Sequence, residues 1–150
     1  MDIVSPEKRS EMMSGIRDRD TKPEMIVRRR LHRLGFRYRL RKRELPGNPD
    51  LYLKKYNAVI FVHGCFFHRH LCKKFKWPGT NTEFWKSKLE RNAERDREVR
   101  DQLSEMGIRW AVVWECQLQG IRNRRIEKTV TTLAEWLKSD EPSIEIGGET

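Results

Sequence analysis

Two short apolar runs, residues 58–62 and 108–114, place the main constraint on how this 150-residue chain can fold. Both contain several β-branched side chains, which favour buried strands. The pattern of a long amphipathic helix lies between them, over residues 82–106, and Gly107 follows as a stop signal. Buried strands alternating with helices predict an α/β domain, with a mixed central sheet flanked by helices.

The region before the first apolar run predicts one more helix and two more strands. Thr21 and Glu24 have the spacing of a capping box, and the apolar stripe that follows ends at Gly35. Residues 36–40 alternate arginine with aromatic or apolar side chains, which is typical of a strand with one exposed face. A proline- and glycine-containing turn then leads into a short strand that begins at Asp50.

Composition divides the chain into three parts. Residues 1–20 are polar and charged, and we expect a flexible N-terminal arm. Residues 21–138 hold all the predicted elements, in the order helix, three strands, helix, strand, helix. Residues 139–150 hold four acidic residues and no basic one, so a disordered acidic tail is expected.

The charge balance indicates a polyanionic partner. Lysine and arginine outnumber aspartate and glutamate 32 to 22, which gives a formal net charge of +10. Residues 28–43 alone hold nine arginines or lysines and no acid, a density that suits contacts with nucleic acid phosphates. No apolar stretch is long enough to span a membrane, and an odd number of cysteines fits a reducing compartment. These features predict a cytoplasmic protein.

The segment between Pro49 and Cys72 concentrates the metal-binding and proton-transferring side chains. Five of the seven histidines and cysteines of the chain lie in residues 63–72. Thiolate and imidazole are the usual zinc ligands, and a Cys3His set is a normal structural zinc site. The set predicted here is Cys65, His70, Cys72 and Cys116. Two alternatives stay open: His68 could replace His70, and Cys65 and Cys116 could be small buried apolar residues.

Asp50 is the candidate ligand for a catalytic cation. A carboxylate at the start of a strand suits Mg²⁺, which prefers oxygen ligands. Restriction-type nucleases often follow such an aspartate with an acid and a lysine one strand later, but the corresponding residues here are Val62, His63 and Gly64. Histidine would then have to replace the lysine. The alternatives are a turn role for Asp50 and a backbone-bonded loop role for His63.

Further candidates lie on the long helix and beside the cysteines. Asp96 falls within the predicted buried stripe, where a carboxylate needs a cation, a metal or an imidazole, unless the helix leaves it at an exposed margin. Phe66 and Phe67 adjoin a predicted zinc ligand and cannot both belong to the core. Exposed aromatic side chains next to basic residues can stack on bases or wedge between them.

Six segments carry a resemblance to a known family: residues 45–50 (LPGNPD), 63–68 (HGCFFH), Cys72, 82–85 (TEFW), 92–96 (NAERD) and 113–116 (VWEC). The chain resembles the very-short-patch-repair (Vsr) DNA mismatch endonucleases along nearly its whole length. The resemblance implies a restriction-endonuclease-like fold over residues 21–138 and a structural zinc ion. It also implies a Mg²⁺-dependent nick on the 5′ side of the thymine in a T:G mismatch, which arises when 5-methylcytosine deaminates.

The resemblance also implies roles for individual residues. Asp50 matches the Mg²⁺ ligand, with Val62 contributing its backbone carbonyl; His68 matches the general base and His63 a second catalytic histidine. Glu24 and Asp96 match acidic residues near the active centre. The zinc ligands are matched by Cys65, His70, Cys72 and Cys116, and DNA contacts are assigned to Phe66, Phe67, Trp85, Met13, Arg37 and Arg39.

Two departures from the family pattern concern Val62, where threonine is frequent, and Phe67, where tryptophan is common. The first removes a hydroxyl and the second makes the predicted wedge smaller. The expected partner is double-stranded DNA with a T:G mismatch, bound by a monomer, and mismatch-repair proteins are further candidate partners. The alternative functions are a non-catalytic, zinc-stabilised DNA-binding module and a nuclease of the same fold with a different DNA target.

Overall fold

A computed structural model describes residues 21–65, 79–118 and 124–147 of the chain. Within these ranges five strands and three α-helices form a mixed α/β fold. The strands are β1 (Arg39–Leu40), β2 (Leu51–Leu53), β3 (Ala58–His63), β4 (Arg109–Trp114) and β5 (Ser143–Ile146), and the helices are α1 (Lys22–Arg33), α2 (Thr82–Glu105) and α3 (Arg124–Lys138). No helix in these ranges is both long and apolar enough to cross a membrane.

The five strands form one sheet in the order β1-β2-β3-β4-β5. The first three strands run antiparallel to one another, whereas β3, β4 and β5 are parallel. The β3–β4 ladder ends with the pair His63 and Trp114. Because parallel strands end at the same edge of a sheet, the residues that follow β3 and β4 are brought to a common edge.

Helices cover both faces of the sheet, as the sequence predicts. Apolar residues of α1 and α3 pack with Ala58 and Ile60 on one face. On the other face α2 contributes Leu103 to a cluster with Val59 and Phe61. The alternation along β3 explains its unbroken apolar run, since both of its faces are buried. This architecture fits the restriction-endonuclease-like fold that the resemblance implies, although Met106, predicted to lie in the buried stripe, is 54% exposed.

The strand predicted over residues 36–40 is reduced to Arg39–Leu40, because Phe36 takes part in ending α1. The amide of Phe36 donates to the carbonyl of Leu31 at 3.0 Å, and the Gly35 amide donates to the carbonyl of His32 at 3.0 Å. These two bonds form a Schellman motif around Gly35, whose φ is +95°. The prediction that Gly35 ends the helix is confirmed, but the same motif keeps Phe36 out of the sheet.

The tail expected to be disordered from residue 139 contains the edge strand β5. Ile144 and Ile146 pack against the core on the α1–α3 face, and Arg100 of α2 donates to Glu145 at 3.0 Å. Composition favoured disorder because the acids dominate the segment. A four-residue strand is ordered through pairing with β4, a tertiary interaction that local composition does not reveal.

Gly47, in the turn that leads to Asp50, provides a test of this packing. A Cβ added there would lie 2.6 Å from Val99 Cγ1 and 3.1 Å from Phe61 Cε1, and φ is +76°. We expect Gly47→Ala to cost about 1–3 kcal/mol for the backbone conformation and about 1–3 kcal/mol more for the overpacking. The denaturant midpoint of unfolding measures the sum.

Gly107→Ala is the matched control, because Gly107 has φ +75° and no atom within 4 Å of an added Cβ. It should show the backbone cost alone. Equal losses of stability for the two variants would contradict the packing of residues 45–49 against α2 and β3.

Candidate active site

The centre of the candidate site is Asp50, which immediately precedes β2. Its Oδ2 accepts a hydrogen bond of 2.7 Å from the amide of Val62 on β3. The site thus lies where the antiparallel pair β2–β3 ends, on the rigid part of the sheet. Sequence reasoning placed Asp50 at a strand start, and the structure adds that the neighbouring strand holds its carboxyl group.

Glu24 of α1 lies beside Asp50, and the two carboxyl groups share a hydrogen bond. Glu24 is 1% exposed, although it stands in the first turn of a helix. Its Oε2 accepts hydrogen bonds from Arg28 Nη1 at 3.3 Å and from Arg41 Nη2 at 3.1 Å. The capping interaction is also present, since the Glu24 amide donates to Thr21 Oγ1 at 3.3 Å. Glu24 is therefore part of a buried charge cluster around Asp50.

Burial raises the pKa of Asp50 from 3.8 to about 7. The Val62 amide lowers this pKa and the charge of Glu24 raises it, while Arg41 has a smaller lowering effect. Near neutral pH the Asp50 carboxyl can therefore carry the proton of the bond to Glu24. Two carboxyl groups that meet over one proton have the oxygen chemistry that a hard divalent cation prefers.

His63, the last residue of β3, is 8% exposed and lies against aromatic rings. Its ring centroid is 5.2 Å from that of Trp114, edge-on, and 5.6 Å from that of Phe61. These two rings belong to the cluster on the α2 face of the sheet. His63 is thus adjacent in the chain to the Val62 amide that binds Asp50, with its imidazole held by packing.

Asp96 and Trp85 both lie on α2. Asp96 is half-buried, one turn before Val99, which packs against the cluster that contains Phe61. Trp85 is half-buried near the start of the helix, and its ring centroid is 5.5 Å from that of Phe84. Lys88 Nζ lies 5.4 Å from the Trp85 ring centroid. Phe84 is 58% exposed, and sequence reasoning gave it no role although its position beside Trp85 was visible.

Two of the four predicted zinc ligands are in the described ranges. Cys65 and Cys116 are both buried and belong to one cluster on the α2 face. Each follows the paired ends of β3 and β4 by two residues, so the parallel ladder brings them to the same edge of the sheet. Glu115 fixes the Cys65 backbone by accepting from its amide at 3.3 Å.

The remaining predicted site residues lie outside the described residues: Met13, Phe66, Phe67, His68, His70 and Cys72. Within residues 21–65, 79–118 and 124–147, no group of three or more histidine, cysteine, aspartate or glutamate side chains is arranged to hold a metal ion. Arg37 and Arg39 are described and exposed, and the Arg37 guanidinium donates to the carbonyl of Phe36 at 3.2 Å.

Sequence reasoning missed Arg28 and Arg41 as members of the Asp50 cluster. Both belong to the basic stretch 28–43, where charge alone favoured phosphate contacts for every member. The one available signal was Glu24, because a buried carboxylate requires cationic partners. Which of the nine basic residues would supply them depends on the fold.

Comparison with known proteins gives consistent matches. The model of the family described as "DNA mismatch endonuclease Vsr" matches residues 1–74. The DNA mismatch endonuclease Vsr of Escherichia coli is 40% identical over 145 residues, which cover 97% of this chain and 93% of that protein. A type II nicking enzyme of Neisseria meningitidis is 44% identical over 118 residues, covering 79% and 84% of the two chains. A type II nicking enzyme of Xanthomonas oryzae is 41% identical over 120 residues, covering 80% and 88%.

Proposed function

The chain belongs to the DNA mismatch endonuclease Vsr family, and we propose that it nicks one DNA strand on the 5′ side of the thymine in a T:G mismatch. The observation that carries the proposal is the buried Asp50–Glu24 carboxyl pair, held by the Val62 amide at the end of β2. The relatives are named as endonucleases or nicking enzymes, so phosphodiester hydrolysis in DNA is the chemistry that the pair would serve.

We assign the catalytic cation as Mg²⁺, with Asp50 and the backbone carbonyl of Val62 as its protein ligands. Bound there, Mg²⁺ would supply positive charge to the scissile phosphate. Asp50 offers a hard oxygen, and displacement of its proton by a cation is favoured because its pKa is about 7. Glu24 adds negative charge to the same centre, and the two arginines that contact it keep that charge tolerable in a buried place.

Proton transfer is assigned to the two histidines. His68 is the proposed general base that takes a proton from the attacking water, and His63 is the proposed second catalytic histidine. Packing against Trp114 and Phe61 limits the orientations open to His63. Asp96, half-buried on α2, is proposed to act in the same centre as an acidic residue.

We further propose a structural zinc ion held by Cys65, His70, Cys72 and Cys116. The supporting observation is that Cys65 and Cys116, 51 positions apart in the sequence numbering, share one buried cluster beyond the ends of paired strands. Zinc there would fasten the segment after β3 to the segment after β4. The protein is proposed to act in the cytoplasm as a monomer.

The experiment that tests the function compares end-labelled duplexes that differ only in one base pair, T:G or T:A. With Mg²⁺ we expect a single nick in the thymine strand of the T:G duplex, and EDTA should prevent it. Equal nicking of the T:A duplex at a defined sequence would favour the alternative of a site-specific nicking enzyme, as the Neisseria and Xanthomonas relatives are named. Specific binding without any nick would favour a DNA-binding module.

Mismatch preference should depend on aromatic side chains, and overall affinity on arginines. A T:G pair stacks less well than a matched pair, so wedging an aromatic ring beside it costs less. We expect Phe66→Ala and Trp85→Ala to narrow the ratio of nicking rates between T:G and T:A duplexes. Phe67 is assigned the same role.

The matched variants for this comparison are Arg37→Gln and Arg39→Gln. Phosphates are alike on every sequence, so loss of an exposed arginine should weaken binding to both duplexes and reduce its salt dependence. The rate ratio should stay as in the wild type. Arginine variants that lose discrimination, with aromatic variants that keep it, would contradict this division.

A further inference from the structure

Arg41 connects the two carboxyl groups of the proposed site. Its amide donates to the backbone carbonyl of Asp50 at 3.3 Å, and its Nη2 donates to Glu24 Oε2 at 3.1 Å. Its φ of 49° lies in the left-handed region, which residues other than glycine seldom adopt. One residue thus contacts the segment that carries Asp50 through its backbone and α1 through its side chain.

Glu24 is buried, so its position depends on the cations that compensate it. Arg28 comes from the same helix, one turn later, and its contact leaves Glu24 oriented only relative to α1. Arg41 comes from the end of β1 and relates Glu24 to the sheet. The distance between the Glu24 and Asp50 carboxyl groups is therefore controlled by Arg41 rather than by Arg28.

We propose that Arg41 is a positioning residue for the nicking reaction, which holds Glu24 against Asp50 so that both carboxyl groups face one centre. This inference rests on the nuclease function proposed above. Orientation is a large part of catalysis, and a displacement of roughly 1 Å in a catalytic group can cost about 10²-fold in rate. The side chain is 21% exposed and engaged with Glu24, so it differs from the exposed arginines assigned to phosphate contact.

Arg28 provides the matched control for the side chain. Both arginines donate to the same oxygen of Glu24, at 3.3 and 3.1 Å. Removing either one takes away one cation from one buried carboxylate, so both glutamine variants should lose similar stability. Only Arg41 also bonds to the residue that carries the proposed cation ligand. A purely structural role would therefore affect the two variants alike in every measurement.

The experiment compares Arg41→Gln, Arg28→Gln and Arg41→Lys with the wild type. Single-turnover nicking is measured at saturating T:G duplex in Mg²⁺, and DNA affinity is measured in Ca²⁺ by fluorescence anisotropy. Exchange of the Val62 amide, which donates to Asp50 Oδ2, is followed by NMR in the metal-free protein without DNA.

We expect Arg41→Gln to lower the single-turnover rate constant by about 10²-fold, with unchanged DNA affinity and faster exchange of the Val62 amide. Arg28→Gln should show a much smaller loss of rate and a protected Val62 amide. Arg41→Lys keeps the charge without the planar donor fork, so it should recover part of the rate. It also preserves the comparison should Arg41→Gln fail to fold.

Two results would overturn the inference. Equal rate losses for Arg41→Gln and Arg28→Gln would show that Arg41 only stabilises the fold, and weakened DNA binding with an intact rate constant would show a phosphate contact. Failure of the proposed function is distinguishable, because the wild type would then not nick. In that case an unchanged Val62 amide in Arg41→Gln would still refute the coupling between Arg41 and Asp50.

Discussion

Asp50→Asn is expected to abolish nicking while the protein stays folded and binds DNA at least as tightly as the wild type. The several kcal/mol that a catalytic cation contributes correspond to about 10³-fold or more in rate. Asparagine keeps an oxygen that can accept from the Val62 amide, so the end of β2 should stay in place. Loss of a negative charge that faces phosphate favours DNA binding.

The measurement is single-turnover nicking of the T:G duplex in Mg²⁺, beside binding of the same duplex in Ca²⁺. Asp101→Asn is the matched control, because Asp101 is an exposed acid on α2 outside the proposed site. It should nick at the wild-type rate. An Asp50→Asn enzyme that nicks within a few-fold of the wild type would end the assignment of Asp50 as the cation ligand.

Cys116→Ser is expected to remove zinc and stability together. Structural zinc binds with free energy that becomes folding free energy, because the site does not exist in the unfolded chain. Cys116 is 8% exposed and directly follows β4, so the loss should unfasten this strand end from the segment after β3. We expect a destabilisation of more than about 3 kcal/mol, beyond the range of most single substitutions.

The measurements are zinc content by mass spectrometry and the denaturant midpoint with and without a chelator. Leu118→Ala is the matched control, since Leu118 is 2% exposed in the same 3₁₀ turn but belongs to the core on the opposite face. It should lose stability and keep zinc. Well-folded wild-type protein without zinc would leave Cys65 and Cys116 as buried apolar residues, the alternative interpretation of their positions.

Individual elements show why local patterns predicted most of the fold. The β3 and β4 runs are apolar on both faces, so burial could be inferred without knowing their partners. The α1 boundaries follow from a side-chain cap at Thr21 and a left-handed glycine at position 35, both local interactions. Errors arose where a local pattern competed with a distant one, as when Phe36 ended α1 instead of extending β1.

The candidate site divides in the same way. The sequence by itself determined the α/β class, the family and the candidates Asp50, His63 and Cys65, because residue type and spacing carry that information. The tertiary structure alone decided that Glu24 is buried beside Asp50, that Arg41 rather than a neighbouring arginine bridges them, and that residues 143–146 form a strand. Burial and charge compensation depend on residues distant in sequence, so no local pattern specifies them.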